Sequence, residues 1–350
     1  MNNPERLMPM PEQNQNSGRQ VWLTVVVIGR NESRNLPNLF ESLPQSDQYE
    51  WIYVDSHSDD NSAAIALKQG AAVYLVDRKS VYGPGTGRYI GTLEARGRWI
   101  LYLDGDMVLR QEFADLISAL EAAERGGGES LPPGTAAFVG RTINRFESPD
   151  GQVVGERDYV TLPQRAMGPP EFWGKPAAYH GGAVLYLKEA VLSAGNWNPA
   201  VYQLEEIDLY SRVKAAGGIL RAIDLPMVEH FTPCLGFAER LKLNFLAQWR
   251  GKKLYGAGQV VSARLKEGGL ASLISCYPYP FIVLAGLVSA PLLYFIWPPL
   301  PLLVNLAIAA WFALTKKWYY YLVYLGNLLQ IFRGLGRYQR FEPNYRRSYI

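Results

Sequence analysis

Asp104-Gly105-Asp106 closes an apolar run that starts at Trp99. Two carboxylates two residues apart at a strand end turn toward one oxygen-loving cation, and glycine between them lets the backbone bend closely around a ligand. Such a cation most often carries a diphosphate; the bland alternative is a surface Asp-Gly turn in a hairpin. Further along, Glu205-Glu206-Ile207-Asp208-Leu209 with Arg212 reads as an acidic helix start. A carboxylate there suits proton acceptance, against the plainer reading of an exposed acid at a helix N-terminus. Asp208 is four residues from Arg212, the spacing of a helical ion pair. Three histidines invite metal readings. His57 fits a solvated loop, and His230 either completes a metal shell, reaches a diphosphate or is structurally bonded.

The elements that position these residues alternate strand and helix. Val21 to Ile28 is a nearly unbroken β-branched run, as for a strand covered on both faces, and Arg34 to Leu43 carries helical spacing. Trp51 to Val54 forms a second strand ending in Asp55, followed by a helix over Ala63 to Gln69 and a third strand over Val73 to Val76. A helical stretch around Gly91 to Arg96 leads into Trp99 to Leu103, so the aspartate pair stands at the carboxyl end of about the fourth strand. In open α/β sheets that edge binds ligands. The loop Tyr82-Gly83-Pro84-Gly85-Thr86-Gly87-Arg88 is not a dinucleotide fingerprint, because Pro84 sits inside it. Its composition suits a flexible loop that closes over a ligand.

Composition sets the limits. The 350 residues are 48% hydrophobic with a formal charge of +3, enough for a catalytic domain plus something else and without the basic arm of a nucleic-acid partner. Cys234 and Cys276 lack zinc or redox spacing. From Gly268 to Thr315 there is no Asp, Glu, Lys or Arg. Leu273 to Trp297 is long enough for a transmembrane helix, Leu300 to Leu314 for a return, and Pro298, Pro299 and Pro301 mark the turn between them. Arg264, Lys266, Lys316, Lys317 and a cluster of arginines from Arg333 to Arg347 place both flanks, and the N-terminal domain, on the cytoplasmic side. Trp318 to Phe332 reads as an interfacial helix, with a third crossing as the alternative. The expected organisation is a flexible arm (1–20), a catalytic domain (21–235), interfacial connecting helices (236–270), a transmembrane hairpin (271–315) and an interfacial helix with a basic tail (316–350).

In order, Val25-Val26-Val27-Ile28-Gly29-Arg30-Asn31-Glu32, Val54-Asp55-Ser56-His57-Ser58-Asp59-Asp60 and Asp104-Gly105-Asp106 resemble the nucleotide-sugar half of the family 2 glycosyltransferases of GT-A fold. His180-Gly181-Gly182-Ala183 through Gly195-Asn196-Trp197 is similar to the acceptor-side segment, and Glu205 to Leu209 to the Glu-Asp-x-Asp-Leu helix start. Ile28 stands where the family often has proline, and Glu206 where it commonly has aspartate. The resemblance covers about residues 21 to 235. It implies an α/β, Rossmann-like domain with a mostly parallel sheet, followed here by C-terminal transmembrane helices.

By the same resemblance, Asp104 and Asp106 hold Mg²⁺ or Mn²⁺ on the diphosphate, and His230, after a probable strand, is the candidate to complete that metal shell. Ile28, Arg30, Glu32, Asp55, Arg88, Asp104 and Gly105 line the nucleotide-sugar pocket, with Asp55 on the base and Arg88 on the diphosphate. His180, Gly181, Gly182, Glu205 and Asp208 lie on the acceptor and donor-sugar side, Glu205 and Asp208 as supports, and Glu206 is the general base. The implied reaction is inverting transfer of a sugar from a UDP- or GDP-linked donor to a lipid-linked or polysaccharide acceptor. It would take place at the cytoplasmic face of a membrane such as the bacterial inner membrane, in contact with membrane lipids. Two rival readings are a sugar nucleotidyltransferase, whose phosphate loop the Tyr82–Arg88 segment resembles, and a membrane-anchored non-catalytic sugar-nucleotide-binding protein.

Overall fold

The structure, a computed structural model, describes residues 20–80, 82–127, 131–159, 167–177, 179–236, 239, 256–314, 328 and 330–348. Residues 1–19 of the expected N-terminal arm, residues 237–238 and 240–255 of the expected connecting helices 236–270, and most of the expected interfacial helix 318–332 lie outside the described residues.

Leu23–Gly29 (β1), LTVVVIG, is the centre of a parallel set formed with Tyr49–Asp55 (β2) and Trp99–Asp104 (β4), and Ala72–Val76 (β3) adds to the far side of β2. Its nearly unbroken apolar sequence, interrupted only by buried Thr24, follows from cover on both faces. On one face Phe40, from helix Leu36–Glu41 (α1), packs on Trp51, the register partner of Val25. On the other, helix Pro84–Glu94 (α3) rests on Val26 and Ile28; helix Ser62–Lys68 (α2) packs on β3. The loop expected over Tyr82–Arg88 is thus the entry and first turns of α3, because Pro84 with its fixed φ starts a helix at its first position. Helix and strand approach so closely that a Cβ on Gly91 would stand 2.2 Å from Val26 Cγ1. Gly91→Ala is therefore expected to destabilise the fold by about 1–3 kcal/mol despite alanine's better helix propensity, read by chemical denaturation.

The second half adds Met107–Leu109 (β5), helix Gln111–Ala122 (α4), Thr135–Glu147 (β6), Val153–Tyr159 (β7), Lys175–Pro176 (β8), Val184–Leu187 (β9), helices Lys188–Ser193 (α5) and Glu205–Ala215 (α6), and Ile219–Pro233 (β10). With Tyr345–Ser348 (β11), the sheet order is β11-β3-β2-β1-β4-β9-β6-β10-β5, with β7 on β6 and β8 on β10. The sheet is mixed rather than mostly parallel. β9 runs antiparallel to both β4 and β6, because the chain re-enters through His180–Gly182 at the carboxyl edge of β4 and has to run away from it. β5, β7, β8 and β11 are antiparallel to their neighbours too.

The C-terminal part forms helices Gly256–Glu267 (α7), Leu270–Cys276 (α8), Tyr279–Val288 (α9), Ala290–Ile296 (α10) and Leu300–Leu314 (α11). The continuous crossing expected over Leu273 to Trp297 is broken: Pro280 and Pro291 each sit in the first turn of a new helix, and α8 meets α9 at 107°. Among the described residues no single helix is long and apolar enough to cross a membrane; α8 and α9 pass such a test only as a bent pair. The basic tail also differs from expectation. Residues 345–348 pair with β3 at the sheet edge, Tyr345 donates to Glu94 Oε1 at 2.6 Å, and Arg347 stacks 5.9 Å from the Tyr74 ring centre. An uncovered β3 edge would offer a template for foreign strands, and β11 removes it. Ala257, Val260, Leu273 and Cys276 join the same buried cluster as β1 and β4, so the sequence boundary at 235 does not divide the core.

Candidate active site

Parallel register gathers the acids. Gly29 pairs with Asp55 and Ile28 with Asp104, which sets both carboxylates beside the end of β1. The Gly105 N–H donates to Ile28 O and the Ser56 N–H to Gly29 O, each at 2.8 Å. Asp55 is only 2% exposed; its Oδ1 accepts the Ser58 N–H at 2.7 Å, while Oδ2 is buried with no hydrogen-bond partner among the described residues. A buried unmatched acceptor is costly unless a ligand's donor meets it. The loops after β1 and β2 are stitched together: Asn31, in the left-handed region at φ 61°, donates its N–H to Ser58 Oγ at 2.9 Å, and the Glu32 N–H reaches Ser62 Oγ at 2.7 Å. Arg30 is exposed and pairs with Asp59 at 3.3 Å. His57 is an exposed loop residue, as expected.

Asp106 is met from the other half of the sheet. His230 pairs in register with Met107, the Phe231 N–H donates to Asp106 O at 3.0 Å, and His230 Nε2 lies 3.1 Å from Asp106 Oδ2. The other ring nitrogen is held by Asn144 Oδ1 at 3.0 Å. Burial opposes charge on this imidazole, but the hydrogen bond to Asp106 and the carboxylates of Asp106, Asp104 and Glu32 outweigh it and raise its pKa. Glu32 lies across the bare faces of Gly29 and Gly105; a Cβ on Gly105 would stand 2.6 Å from Glu32 Cγ. Its pKa is pushed up to about 7, by burial first and then by Asp106, Asp104 and Asp60, against the pull of the Asn35 amide.

Among the described residues no group of three or more His, Cys, Asp or Glu forms a ready-made metal shell. The oxygens nevertheless suit a hard divalent cation. Asp106 Oδ1 is buried without a hydrogen-bond partner among the described residues, and Asp104 gives Oδ1 to Arg88 and turns Oδ2 toward Gly182, where a Cβ would come within 2.5 Å of it.

Arg88 is the joint between the two acidic groups. It is 1% exposed on α3, donates at 2.7 Å to both Asp104 Oδ1 and Glu205 Oε1, stands 3.9 Å from Glu206, and lies 5.1 Å over the Trp197 ring. Two of its guanidinium nitrogens are engaged inside the protein, by Asp104 and Glu205, and its Nε is buried with no hydrogen-bond partner among the described residues. Removing it would strand Glu205 as a buried, unpaired acid. Arg88→Met is therefore expected to lower stability by about 3–5 kcal/mol in chemical denaturation, and Arg88→Lys to lose less.

Glu206 keeps its side chain 22% exposed, whereas Glu205 at 4% is closed off by Arg88. Burial raises the pKa of both glutamates; the charge of Glu206 adds to the rise at Glu205, and Arg88 opposes it at each. The helix they open is preceded by Leu204 at φ 64°, a strained setting for a leucine that turns the chain abruptly into α6. Asp208 is fully buried, paired with Arg212 as its spacing indicates and also, at 3.0 Å, with Arg264 of α7.

His180 does not reach the site. At 3% exposure it packs among Tyr186, Trp197 and Tyr210, with Nε2 2.8 Å from Tyr186 OH, and burial pushes its pKa down to about 4. Half-buried Gly181 and Gly182 carry this segment past Asp104 instead. Sequence reasoning missed Asn144, Trp197 as the floor under Arg88, and Arg264; none carries a local signal, since each meets its partner only through the fold. A cavity of about 780 Å³ opens at the opposite, amino-terminal edge of the sheet beside Glu50, Trp51, Tyr74 and Arg96, and no candidate site residue lines it.

Residues 24–128 match the family model described as Glycosyl transferase family 2. That match covers less than a third of the chain. That segment holds Asp55, Arg88, Asp104 and Asp106, and belongs to an α/β fold whose full sheet is mixed. Over 199 residues the chain is 26% identical to a 4,4'-diaponeurosporenoate glycosyltransferase of Staphylococcus haemolyticus (strain JCSC1435), covering 53% of this chain and 50% of that protein. The chain thus spans half the length of this curated relative. Two solved structures overlap more broadly but loosely. The mannosyltransferase PcManGT from Pyrobaculum calidifontis, in complex with GDP-Man and Mn²⁺, is 18% identical with a TM-score of 0.47 over 92% of this chain and 89% of that one. S. aureus TarS 1-349 in complex with UDP-GlcNAc is 14% identical with a TM-score of 0.46 over 91% and 93%. Likeness of that order says nothing about substrate.

Proposed function

We propose that this chain transfers a sugar, with inversion, from a UDP- or GDP-linked donor to a lipid-linked or polysaccharide acceptor at the cytoplasmic face of a membrane. The observation that carries the reading is the convergence, at one sheet edge, of Asp55 and Asp106 with unmatched buried oxygens, Asp104, and a reachable Glu206 two residues from a fully buried helix anchor.

Asp55 Oδ2 accepts an N–H from the nucleobase in this reading, which its unmatched oxygen among the described residues supports, and the stitched loops around Asn31 and Ser58 hold that carboxylate. Asp104 and Asp106, with His230 beside them, would hold Mg²⁺ or Mn²⁺, which when bound supplies positive charge against the departing diphosphate. Arg88 fixes Asp104 with one arm and Glu205 with the other, so the donor side and the acceptor side keep a set separation. Glu206 takes the proton from the acceptor hydroxyl as its oxygen bonds to the anomeric carbon and the bond to the diphosphate breaks. Attack from the side opposite the leaving group inverts the anomeric centre.

The membrane placement is supported by the charge-free run Gly268 to Thr315 and by large apolar side chains left in the open there, among them Phe295 at 86% exposure. A tethered site raises the effective concentration of a lipid substrate.

The test offers labelled UDP- and GDP-sugars with Mn²⁺ and a membrane lipid extract to the purified full chain, and identifies products by mass spectrometry. A glycosylated lipid or saccharide is expected; intact donor under every combination contradicts the reading. Asp55→Ala is expected to raise the donor KM by about 10–100-fold with kcat little changed, the loss of one hydrogen bond to a charged group worth about 1.5–3 kcal/mol.

A further inference from the structure

We infer that the hairpin formed by α9, α10 and α11 enters one leaflet and turns back inside the hydrocarbon without crossing; this rests on the membrane-face placement proposed above. Its lipid-facing reach is short. Val283 of α9 and Phe312 of α11 belong to the buried core, and α8 is pinned to α6 through Ser272 Oγ to Ser211 O at 2.7 Å and Lys214 Nζ to Ser275 Oγ at 3.0 Å. Large apolar side chains stand exposed from Ile282 through Trp297 to Leu314, two legs of about 22 and 25 Å at 1.5 Å per residue, short of a hydrocarbon core of about 30 Å. Among the described residues α11 covers 15 residues, about 22 Å.

The turn is built for a place without water. The Trp297 N–H donates to Leu293 O and the Leu300 N–H to Trp297 O, while Pro298 and Pro299 between them have no N–H to satisfy. A loop emerging into water on the far side would need no such closure; one left in hydrocarbon does. Two polar side chains on the legs are spent internally: Ser289 Oγ donates to Gly286 O at 3.2 Å, and Asn305 donates to Gly286 O at 3.2 Å and Pro301 O at 2.9 Å. Around the turn Leu292, Phe295, Ile296 and Leu302 are all exposed, and exposed Arg333, Arg337 and Arg340 later in the chain complement anionic headgroups.

The test uses the full chain carrying Cys234→Ser, Cys276→Ser and Trp297→Cys in sealed vesicles containing anionic lipid. A fluorophore at position 297 is expected to lose most of its emission to spin labels deep in the acyl chains, and the unlabelled thiol to resist an impermeant maleimide from either face. Modification from the face opposite the catalytic domain overturns the inference, since the hairpin then crosses, and leaves the membrane-face reading standing. Modification from the domain's own face without quenching overturns both.

Discussion

Glu206→Gln is expected to slow sugar transfer by about a hundred- to ten-thousand-fold while leaving donor affinity and stability near wild type. The amide keeps the size of the side chain but cannot accept the acceptor's proton at any useful pH. Glu205 cannot substitute, because Arg88 engages it at 2.7 Å and its side chain is only 4% exposed. The pH profile gives the second signature. A general base works as the carboxylate, and burial raises the Glu206 pKa above the ordinary 4.5. Transfer should therefore rise with pH on an acid limb whose midpoint lies above that value, and the limb should be missing from the residual activity of the variant. Initial rates across pH, alongside donor binding measured separately, check both points. A variant that turns over normally removes Glu206 from the reaction.

Asp106→Ala is expected to abolish cation-supported transfer, with a loss of at least about a hundredfold, given that charge stabilisation of this kind supplies several kcal/mol and each 1.36 kcal/mol is tenfold. The same change frees His230 from its partner at 3.1 Å, so its imidazole should titrate at lower pH than in wild type. Asp106 is only partly buried, at 30% side-chain exposure, so the fold should tolerate the truncation. Transfer assays with and without Mn²⁺, paired with thermal unfolding and a membrane-association check, separate lost chemistry from lost structure.

The edge that bears the acids was legible in the sequence because it depends on local pattern. An apolar, β-branched strand followed at once by a carboxylate can be read residue by residue, and parallel register then sets Asp55 and Asp104 on either side of β1. The Asp208–Arg212 pair was legible for the same reason, as a four-residue helical spacing. What local pattern could not supply was burial. Arg88 and His180 look like polar residues near glycines, yet one is enclosed between Asp104 and the sequence-distant Glu205 and Trp197, both more than a hundred residues away, and the other among three aromatic rings. The mixed sheet was hidden because β9's direction depends on where a long excursion returns. At the C-terminus, hydropathy marked the apolar run correctly but gave too little weight to Pro280 and Pro291, which divide it, and β11 left no signal beyond a short Tyr-Arg-Arg-Ser string.

The central claim is that Asp104 and Asp106 seat a divalent cation against the diphosphate of a nucleotide sugar. Calorimetric titration of UDP- and GDP-sugars into the purified full chain, with Mn²⁺ present and with it removed by chelator, tests this most directly. Saturable donor binding that requires the cation and is lost in Asp106→Ala is the predicted result. Donor binding of equal strength without the cation, or none with it, contradicts the account.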